Sequence, residues 1–477
     1  MKKISFQISY MVIVVMVYSH PVFAFLGDTI GAGIRASSLG EAFVAVADDY
    51  SATFYNPAGL GQIEDEIKLT IDWIQPVHTF EVKTLSGGKD LVGLDTLGET
   101  AWDPTRTADG GNVDHSRPIL GLTTNLTKVF SALSIPFDLT LGVLVMIPNN
   151  FKQPYTLSDF IPDIPDFLRF GDTEDQLTVA FSLGVEAIKN QLYLGIGCQS
   201  KIQGDGDIHA DSASIRRDGA GDYLQFELQI DWRVYGELTP IVGVLYTPFE
   251  EKLKIGATYR KENSFDLGPS FLTLPYLSAP VEQRGLFYWY ALLGFQFAYS
   301  PDSYTFGIAY TFDPFTISLD YEIQTWSDFD YHVTFNQRYS QEEPTLSGYV
   351  PNGPELNDVG NICVGLEYRI SNVLSLMTGY QHMPTPVPDQ TDRITNYLDM
   401  DKDLFSIGIS YSLKKLKPPH PFKSLPFKVG AMFQYINCND YKVYKNGDID
   451  GWVYANQESY EVKGDVYVYG ISMEITF

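Results

Sequence analysis

The stretch KLKIGATYRK, residues 252–261, alternates between apolar and polar side chains over most of its length. One set of positions holds Leu253, Ile255, Ala257 and Tyr259, and the other holds Lys254, Gly256, Thr258 and Arg260. Because successive side chains of a β-strand point to opposite faces, this pattern predicts a strand with one apolar and one polar face. A membrane barrel turns the apolar face outward and a soluble barrel turns it inward, so alternation alone leaves both alternatives open.

The same alternation recurs along the rest of the chain. Strands are predicted at 66–83, 117–131, 139–151, 175–188, 191–203, 223–247, 252–263, 302–312, 315–328, 359–371, 374–383, 403–413, 427–443 and 452–477. This count predicts an all-β fold, an antiparallel barrel of about fourteen strands that is wide enough to leave a lumen. The even count places both chain ends on the same side.

The connections between the predicted strands have two lengths. Most long ones lie at one end of the barrel, at 84–116, 152–174, 204–222, 264–301, 329–358 and 384–402. Tight turns such as Lys189-Asn190 and Asp313-Pro314 lie at the other end. Short periplasmic turns and long outer loops are typical of outer-membrane barrels. Residues 414–426 and 444–451 depart from this rule, as a long turn and a short loop.

Both chain ends favour the membrane alternative. The final strand, VYVYGISMEITF (466–477), ends in Phe477 and is similar to the signal that the barrel-assembly machinery recognises in outer-membrane barrels. At the start, two lysines precede a short apolar run and Val22-Phe23-Ala24, which is the pattern of a cleaved signal peptide. We therefore expect residues 1–24 to be removed and the bacterial outer membrane to be the destination.

Composition and motifs exclude several functions. The chain has 59 acidic and 33 basic residues among 477, and this negative balance argues against nucleic-acid binding. Cys198, Cys363 and Cys438 lack disulfide or metal spacing and are expected to be buried thiols. The acidic stretches 204–211 and 446–451 lack the distal Glu of a calcium loop, so we interpret them as solvated loops. No nucleophile elbow, zinc-protease or phosphate-loop motif is present, so we expect no enzyme, catalytic residue, metal or cofactor.

The residues before the first strand carry a motif of their own. The stretch GAGIRASSLGEAFVAVADDYSATFYNPAGLGQI (31–63) is rich in Gly and Ala and contains the turn Asn56-Pro57-Ala58. It resembles the N-terminal hatch of the FadL-type outer-membrane transporters, the long-chain fatty acid and hydrocarbon channels, which carries an Asn-Pro-Ala signature. The stretches 319–329 (LDYEIQTWSDF) and 378–413 resemble later parts of the same family. The resemblance divides the mature chain into a hatch inside the lumen, 25–65, and a barrel, 66–477.

The resemblance implies a monomeric channel for passive uptake of hydrophobic compounds, most simply long-chain fatty acids. Aromatic or alkane hydrocarbons, a general porin and a structural surface barrel are the alternatives. The implied partners are hydrophobic small molecules, outer-membrane lipid and lipopolysaccharide. The hatch turn, Asn56 to Ala58 with Phe54 and Tyr55, is expected to be held by few enough contacts to shift.

Three further groups of residues are candidates for the transport path. Family members are thought to release ligand sideways at the third strand, where Gly142 and Pro148 would loosen the wall, since proline cannot donate to the ladder. Arg260 lies on a polar face near the outer end and is predicted to hold a fatty-acid carboxylate, or else to pair with loop carboxylates. Residues 264–300 are too apolar for a solvated loop and are expected to form part of a capture groove, to lie against the outer leaflet, or to form extra strands above the membrane. The groove residues would be Leu286, Phe287, Trp289 and Tyr290.

Overall fold

The computed structural model describes residues 30–65, 67–84, 116–130, 137–147, 166–167, 169, 177–218, 221–249, 252–276, 287–329, 336–338, 345–347, 355–392, 397–413, 426–444 and 459–477. For residues 82–84, 166–167, 201–237, 264–298, 336–338 and 345–347 it describes the backbone alone. The predicted signal peptide, 1–24, lies outside the described residues.

Fourteen strands form one closed antiparallel barrel. They are β1 (Ile67–His78), β2 (Arg117–Asn125), β3 (Leu139–Met146), β4 (Thr178–Ile188), β5 (Leu192–Asp218), β6 (Gly221–Tyr246), β7 (Leu253–Arg260), β8 (Ser303–Phe312), β9 (Phe315–Gln324), β10 (Val359–Ser371), β11 (Leu374–Met383), β12 (Lys402–Leu413), β13 (Phe427–Val443) and β14 (Tyr460–Thr476). Each strand pairs with its neighbours in sequence, and β1 also pairs with β14, which closes the sheet. A short strand, Glu81–Thr84, continues β1 along β14 after a break at Thr79 and Phe80. The fourteen-strand prediction is confirmed.

The outer surface of the barrel is apolar. The outward side chains of Ile196, Phe306 and Ile471 are 62%, 56% and 63% exposed, whereas Thr258 and Arg260 face inward and are buried. Aromatic pairs lie near both ends of the strands: Tyr259 with Tyr304 near the outer loops, and Phe315 with Tyr368 near the tight turns. An apolar band between aromatic girdles is the exterior of a membrane barrel, which decides between the two alternatives that alternation left open. Within the described residues, no helix is long and apolar enough to cross a membrane.

Two of the predicted outer loops are hairpins instead. Strands β5 and β6 continue to Asp218 and Gly221, so the acidic stretch 204–211 is a paired strand, and its interpretation as a solvated loop was wrong. The reason is that apolar alternation persists there: Ile208 lies opposite Ile230, and Ala210 opposite Leu228. In the second region, Asn263–Tyr276 pairs with Phe287–Ser300. Of the alternatives predicted for residues 264–300, the structure thus contains the extra strands.

The N-terminal segment, residues 30–65, lies against the inward-facing side of the wall. It contains two short helices, α1 (Ile34–Ser38) and α2 (Ala52–Tyr55), and a 3-10 turn at Pro57–Gln62. Helix α1 packs on β11 to β14, and the 3-10 turn packs on β3 to β6. Helices this short are unstable alone, so the wall must supply most of the stability of the segment.

The wall that faces the N-terminal segment is built from glycine. Twelve of the fourteen strands place one there: Gly121, Gly142, Gly184, Gly195, Gly243, Gly256, Gly307, Gly365, Gly379, Gly408, Gly430 and Gly470. A side chain at Gly195 would collide with the Pro57-Ala58 peptide, and one at Gly379 with the Leu39-Gly40 peptide. The remaining strands, β1 and β9, place Asp72 and Asp320 against the segment. The backbone of the segment therefore approaches the wall more closely than any larger residue allows.

A single methyl group at Gly379 should loosen the N-terminal segment. The expected result for Gly379→Ala is trypsin cleavage after Arg35 that is at least about tenfold faster than in the native protein, because cleavage follows the population of the detached segment. Gly430→Ala is the matched control, since a Cβ there would lie 3.4 Å or more from its nearest neighbours. Equal cleavage rates in the two variants would contradict the close packing at Gly379.

Candidate functional site

Asn56 fastens the turn that the sequence singled out. Its side-chain oxygen accepts a hydrogen bond from the Ala58 amide at 3.1 Å, which caps the 3-10 turn. Its side-chain nitrogen donates to the carbonyl of Val44 at 2.8 Å and to that of Val244, in wall strand β6, at 3.2 Å. One fully buried amide thus joins the turn, the rest of the segment and the wall.

Wall side chains bind the carbonyl groups of the N-terminal segment. The donors and their acceptors are Ser182 to Thr53 (3.0 Å), Arg260 to Phe54 (2.7 Å), Thr258 to Tyr55 (3.0 Å), Gln434 to Ser37 (2.8 Å) and Ser406 to Ser38 (2.9 Å). Carbonyl groups that helices this short leave unbonded are satisfied in this way. From the sequence, we expected few contacts to hold the hatch turn. The hydrogen bonds of Asn56 and of these wall side chains are more numerous than that.

Two inward carboxylates bind amide groups of the same segment. Asp72 accepts from the Ile34 amide at 3.1 Å and from the Tyr50 hydroxyl. Asp320 accepts from the Val44 amide at 2.7 Å. Sequence reasoning missed both residues, although an acidic residue on the inward face of a strand was the available signal.

Charged groups join two parts of the segment to each other and to β10. Arg35 pairs with Asp48 in the segment and with Glu367 of the wall, at 2.9 Å for the second pair. Burial alone would raise the pKa of the Asp48 carboxyl, but Arg35 outweighs burial and holds it at about 2. Burial raises the pKa of Glu41, although the Tyr55 hydroxyl donates to that carboxylate. The Asp48 carboxylate therefore stays charged at neutral pH.

Arg260 contacts the N-terminal segment. Besides its bond to the Phe54 carbonyl, its guanidinium carbon lies 4.1 Å from the centre of the Phe54 ring. A cation this close to an aromatic face is attracted to it. The structure thus brings together Arg260 and Phe54, both predicted from sequence, at the inner wall.

The described wall above the segment is polar on one side and apolar on the other. Buried inward side chains of β5, β6, β10 and β11 include Gln199, Thr239, Asn361 and Gln381, whereas those of β1, β3, β12, β13 and β14 include Ile74, Leu144, Leu404, Ile436 and Val466. Buried apolar side chains at the outer end come from the β11–β12 connection and include Val387, Leu398 and Met400. A cavity beside α1, lined by Arg35, Asp49, Asp72 and Lys428 among others, has a volume of about 30 Å³. This volume suits a water molecule and is far below that of a ligand pocket.

The family model described as "Outer membrane protein transport protein (OMPP1/FadL/TodX)" matches residues 240–477. The chain belongs to this FadL-type family. Membership and the barrel place the protein in the outer membrane.

Individual relatives of this FadL-type protein are distant. Alkane uptake protein A of Marinobacter nauticus is 23% identical over 183 residues, and the match covers 38% of this chain and only 37% of that protein. The crystal structure of a Pseudomonas aeruginosa FadL homologue has a TM-score of 0.54 at 14% identity, covering 96% of this chain and 99% of that one. The Ralstonia pickettii toluene transporter TbuX has a TM-score of 0.50 at 14% identity, covering 94% and 99%. The two structures establish likeness of fold.

The third strand of this FadL-type barrel is regular where it is described. Strand β3 pairs without a register shift with β2 and with β4 over Leu139–Met146. Gly142 faces Thr53 and Leu60 of the N-terminal segment. The predicted break at Pro148 lies outside the described residues.

The predicted groove residues that the structure describes lie beyond the barrel strands. Phe287, Trp289 and Tyr290 belong to the second hairpin. The fourth groove residue, Leu286, lies outside the described residues. Among the described residues no group of acidic, His or Cys side chains is arranged to hold a metal.

Replacing Asn56 should loosen the turn and leave the barrel assembled. Asn56→Ala removes three hydrogen bonds, so opening of the turn should become easier by about 1–3 kcal/mol. Hydrogen exchange at the Gly59 and Ile63 amides should quicken by about tenfold or more. Strand pairing does not involve this side chain, so heat-modifiable gel mobility should be native.

Asn439→Ala is the control for this substitution, because the Asn439 side chain lies at the outer end of β13, where Asn437 donates to it. Its exchange rates at Gly59 and Ile63 should equal those of the native protein. Unchanged exchange in Asn56→Ala would show that the amide contributes nothing to holding the turn.

Proposed function

We propose that this protein is a channel for the passive uptake of hydrophobic compounds, with long-chain fatty acids as the first candidate substrates. The observation that carries the proposal is a membrane barrel whose inner wall is contacted on all fourteen strands by the N-terminal segment. In this proposal the segment obstructs the lumen, which does not suit free diffusion of hydrophilic solutes and argues against a general porin. Membership of the FadL-type family supports the same conclusion.

In this proposal the N-terminal segment is a hatch that moves locally. Contacts around the whole wall make removal of the entire segment costly, because each lost hydrogen bond leaves a buried polar group to be solvated. Residues 56–62 are the best candidates for a local shift, since Asn56 is the shared anchor of that turn. Ligand would then leave sideways near β3, where Gly142 lets the Leu60 side chain approach the wall.

Hydrocarbons are the second candidate class of substrate. The relative named alkane uptake protein A supports alkanes, and the toluene transporter of similar fold has an aromatic substrate in its name. Arg260 would favour a carboxylate over a hydrocarbon, if a fatty acid displaces its bond to the Phe54 carbonyl. Uptake of labelled oleate, hexadecane and toluene by proteoliposomes compares the three classes directly. Saturable oleate uptake is expected, and uptake of hydrocarbon alone would overturn the fatty-acid assignment.

The second hairpin, Asn263–Tyr276 with Phe287–Ser300, is the proposed capture surface for ligand. It packs beside β5 above the membrane, and its sequence is apolar. Replacing Leu286, Phe287, Trp289 and Tyr290 with Ser should lower oleate uptake at low concentration by about tenfold, while uptake at saturating oleate changes little. The reason is that capture limits the rate only when ligand is scarce. Equal uptake at low concentration would remove the hairpin from the path.

Lateral release near β3 predicts sensitivity to cross-links in that part of the wall. Disulfides between facing residues would be formed in two separate variants, Leu122→Cys with Val143→Cys, and Val143→Cys with Phe181→Cys. The three native cysteines are replaced by Ala in both variants and in the control, because Cys198 faces position 181. At least one of them should lower oleate uptake by about tenfold when oxidised, because paired strands cannot part. The control is Ile317→Cys with Leu366→Cys, a facing pair on β9 and β10 across the barrel. Normal uptake in both oxidised variants would place the exit elsewhere.

A further inference from the structure

Glu41 has an unusual backbone conformation inside the N-terminal segment. Its φ is 66°, in the left-handed region that favours glycine, and it follows Gly40, whose φ is 61°. A Cβ at Gly40 would collide with the backbone of Tyr380 in β11, so contact with the wall fixes this bend. A residue with a side chain costs energy in the left-handed region, and such strain is found at positions where a particular side chain has a function. The strain at position 41 thus draws attention to its carboxyl group.

The Glu41 carboxyl group connects two parts of the segment. The Tyr55 hydroxyl donates to Glu41 Oε2, and the same hydroxyl oxygen accepts from the Ala32 amide at 2.9 Å. Glu41 follows α1, which packs on β11 to β14, whereas Tyr55 directly precedes the 3-10 turn, which packs on β3 to β6. A shift of that turn must therefore break this hydrogen bond or displace Glu41.

The other oxygen of this carboxyl group lacks a donor. Within the described part of the chain, no donor lies within hydrogen-bond distance of Glu41 Oε1, which is buried. Gln434 of β13 lies beside Glu41 but uses its side-chain nitrogen to bind the Ser37 carbonyl, and its own buried Oε1 also lacks a donor among the described residues. A buried acceptor without a donor costs free energy. A proton on Glu41 supplies a donor, because a neutral carboxyl group has an O–H where a carboxylate has acceptors alone.

The electrostatic surroundings also favour the neutral form of Glu41. The titratable and charged groups that face Glu41 and Tyr55 are Glu322 of β9, Cys363 of β10 and Arg260 of β7. Burial raises the pKa of Glu41, and the Glu322 carboxylate raises it further, while hydrogen bonding from Tyr55 offsets only part of this rise. The closed segment therefore binds the Glu41 proton more tightly than a water-exposed glutamate does.

We infer that Glu41 is a proton-sensitive latch on the turn at residues 56–62: with its proton it holds Tyr55 in place, and without its proton the turn shifts more easily. This inference rests on the proposed function, in which that turn moves. Because the folded pKa is raised, the stabilisation is fully present below the ordinary value of 4.5 and is lost as pH rises through the raised pKa. A carboxylate at position 41 thus lowers the cost of a shift at higher pH.

Hydrogen exchange at the Ala32 amide tests the latch, because this amide donates to the Tyr55 hydroxyl. Glu41→Gln keeps an acceptor for Tyr55 and adds a permanent donor, but it cannot titrate. Exchange of the detergent-solubilised proteins is measured between about pH 4 and pH 8. The ratio of the native rate to the variant rate should rise at least about threefold over this range. Asp72 and Asp320 are present in both proteins, so their effects cancel from the ratio.

The matched control is Glu64→Gln, because Glu64 is an exposed glutamate of the same segment. The ratio of the native rate to the rate of this control should be independent of pH. If the ratio for Glu41→Gln were also independent of pH, the latch would be overturned. This exchange experiment contains no ligand, so its result does not depend on which substrate the protein takes up.

Oleate uptake by proteoliposomes tests whether the latch acts in transport. At neutral pH, Glu41→Gln should take up oleate at least about threefold more slowly than the native protein, because its turn shifts less often. At about pH 4 the two proteins should differ less, since the native Glu41 then carries its proton. Equal uptake by the two proteins at neutral pH would overturn the role of the latch in transport. Failure of the native protein to take up oleate would instead refute the fatty-acid proposal, while the exchange ratio would still decide whether the latch exists.

Discussion

The close approach of one backbone to another governs this structure. A fourteen-stranded barrel has more interior than its own side chains fill, so the lumen must hold either water or another part of the chain. Here the N-terminal segment lies against the inner wall, and it fits because glycine occupies the facing position on twelve strands. Where the wall lacks glycine, Asp72 and Asp320 bind amides of the segment directly. Larger residues at these glycine positions would separate the segment from the wall, and the polar groups of its short helices would lose their hydrogen-bond partners.

This arrangement limits how such a channel can work. The segment is bonded around the full circumference, so it is suited to sealing and poorly suited to wholesale displacement. Residues 56–62 are held through one shared side chain, Asn56, which joins the turn to the rest of the segment and to β6. In the proposed uptake function, this turn is the barrier that a hydrophobic ligand would move.

Alternation in stretches such as KLKIGATYRK was enough to predict the barrel, the number of strands and most of their boundaries. The Asn-Pro-Ala turn was also recognisable, because it matches a short signature of the FadL-type family. Residues 204–211 were misjudged because their aspartates suggested a loop, while the cross-strand partners that continue the sheet are about twenty residues away or more. Asp320 binds an amide 276 residues distant, and Arg169 binds a carboxylate 230 residues distant. Contacts between residues so far apart in the sequence depend on closure of the whole barrel. They produce no periodic pattern from which they could be predicted.

Ion conductance in planar bilayers tests the central claim, that the N-terminal segment seals a lumen through which hydrophobic compounds still pass. The native protein should show no steady conductance in the same preparation that takes up oleate. A variant lacking residues 30–65 should assemble and conduct steadily, because the segment takes no part in strand pairing within the barrel. Steady conductance by the native protein, or a closed barrel after the deletion, would contradict the claim.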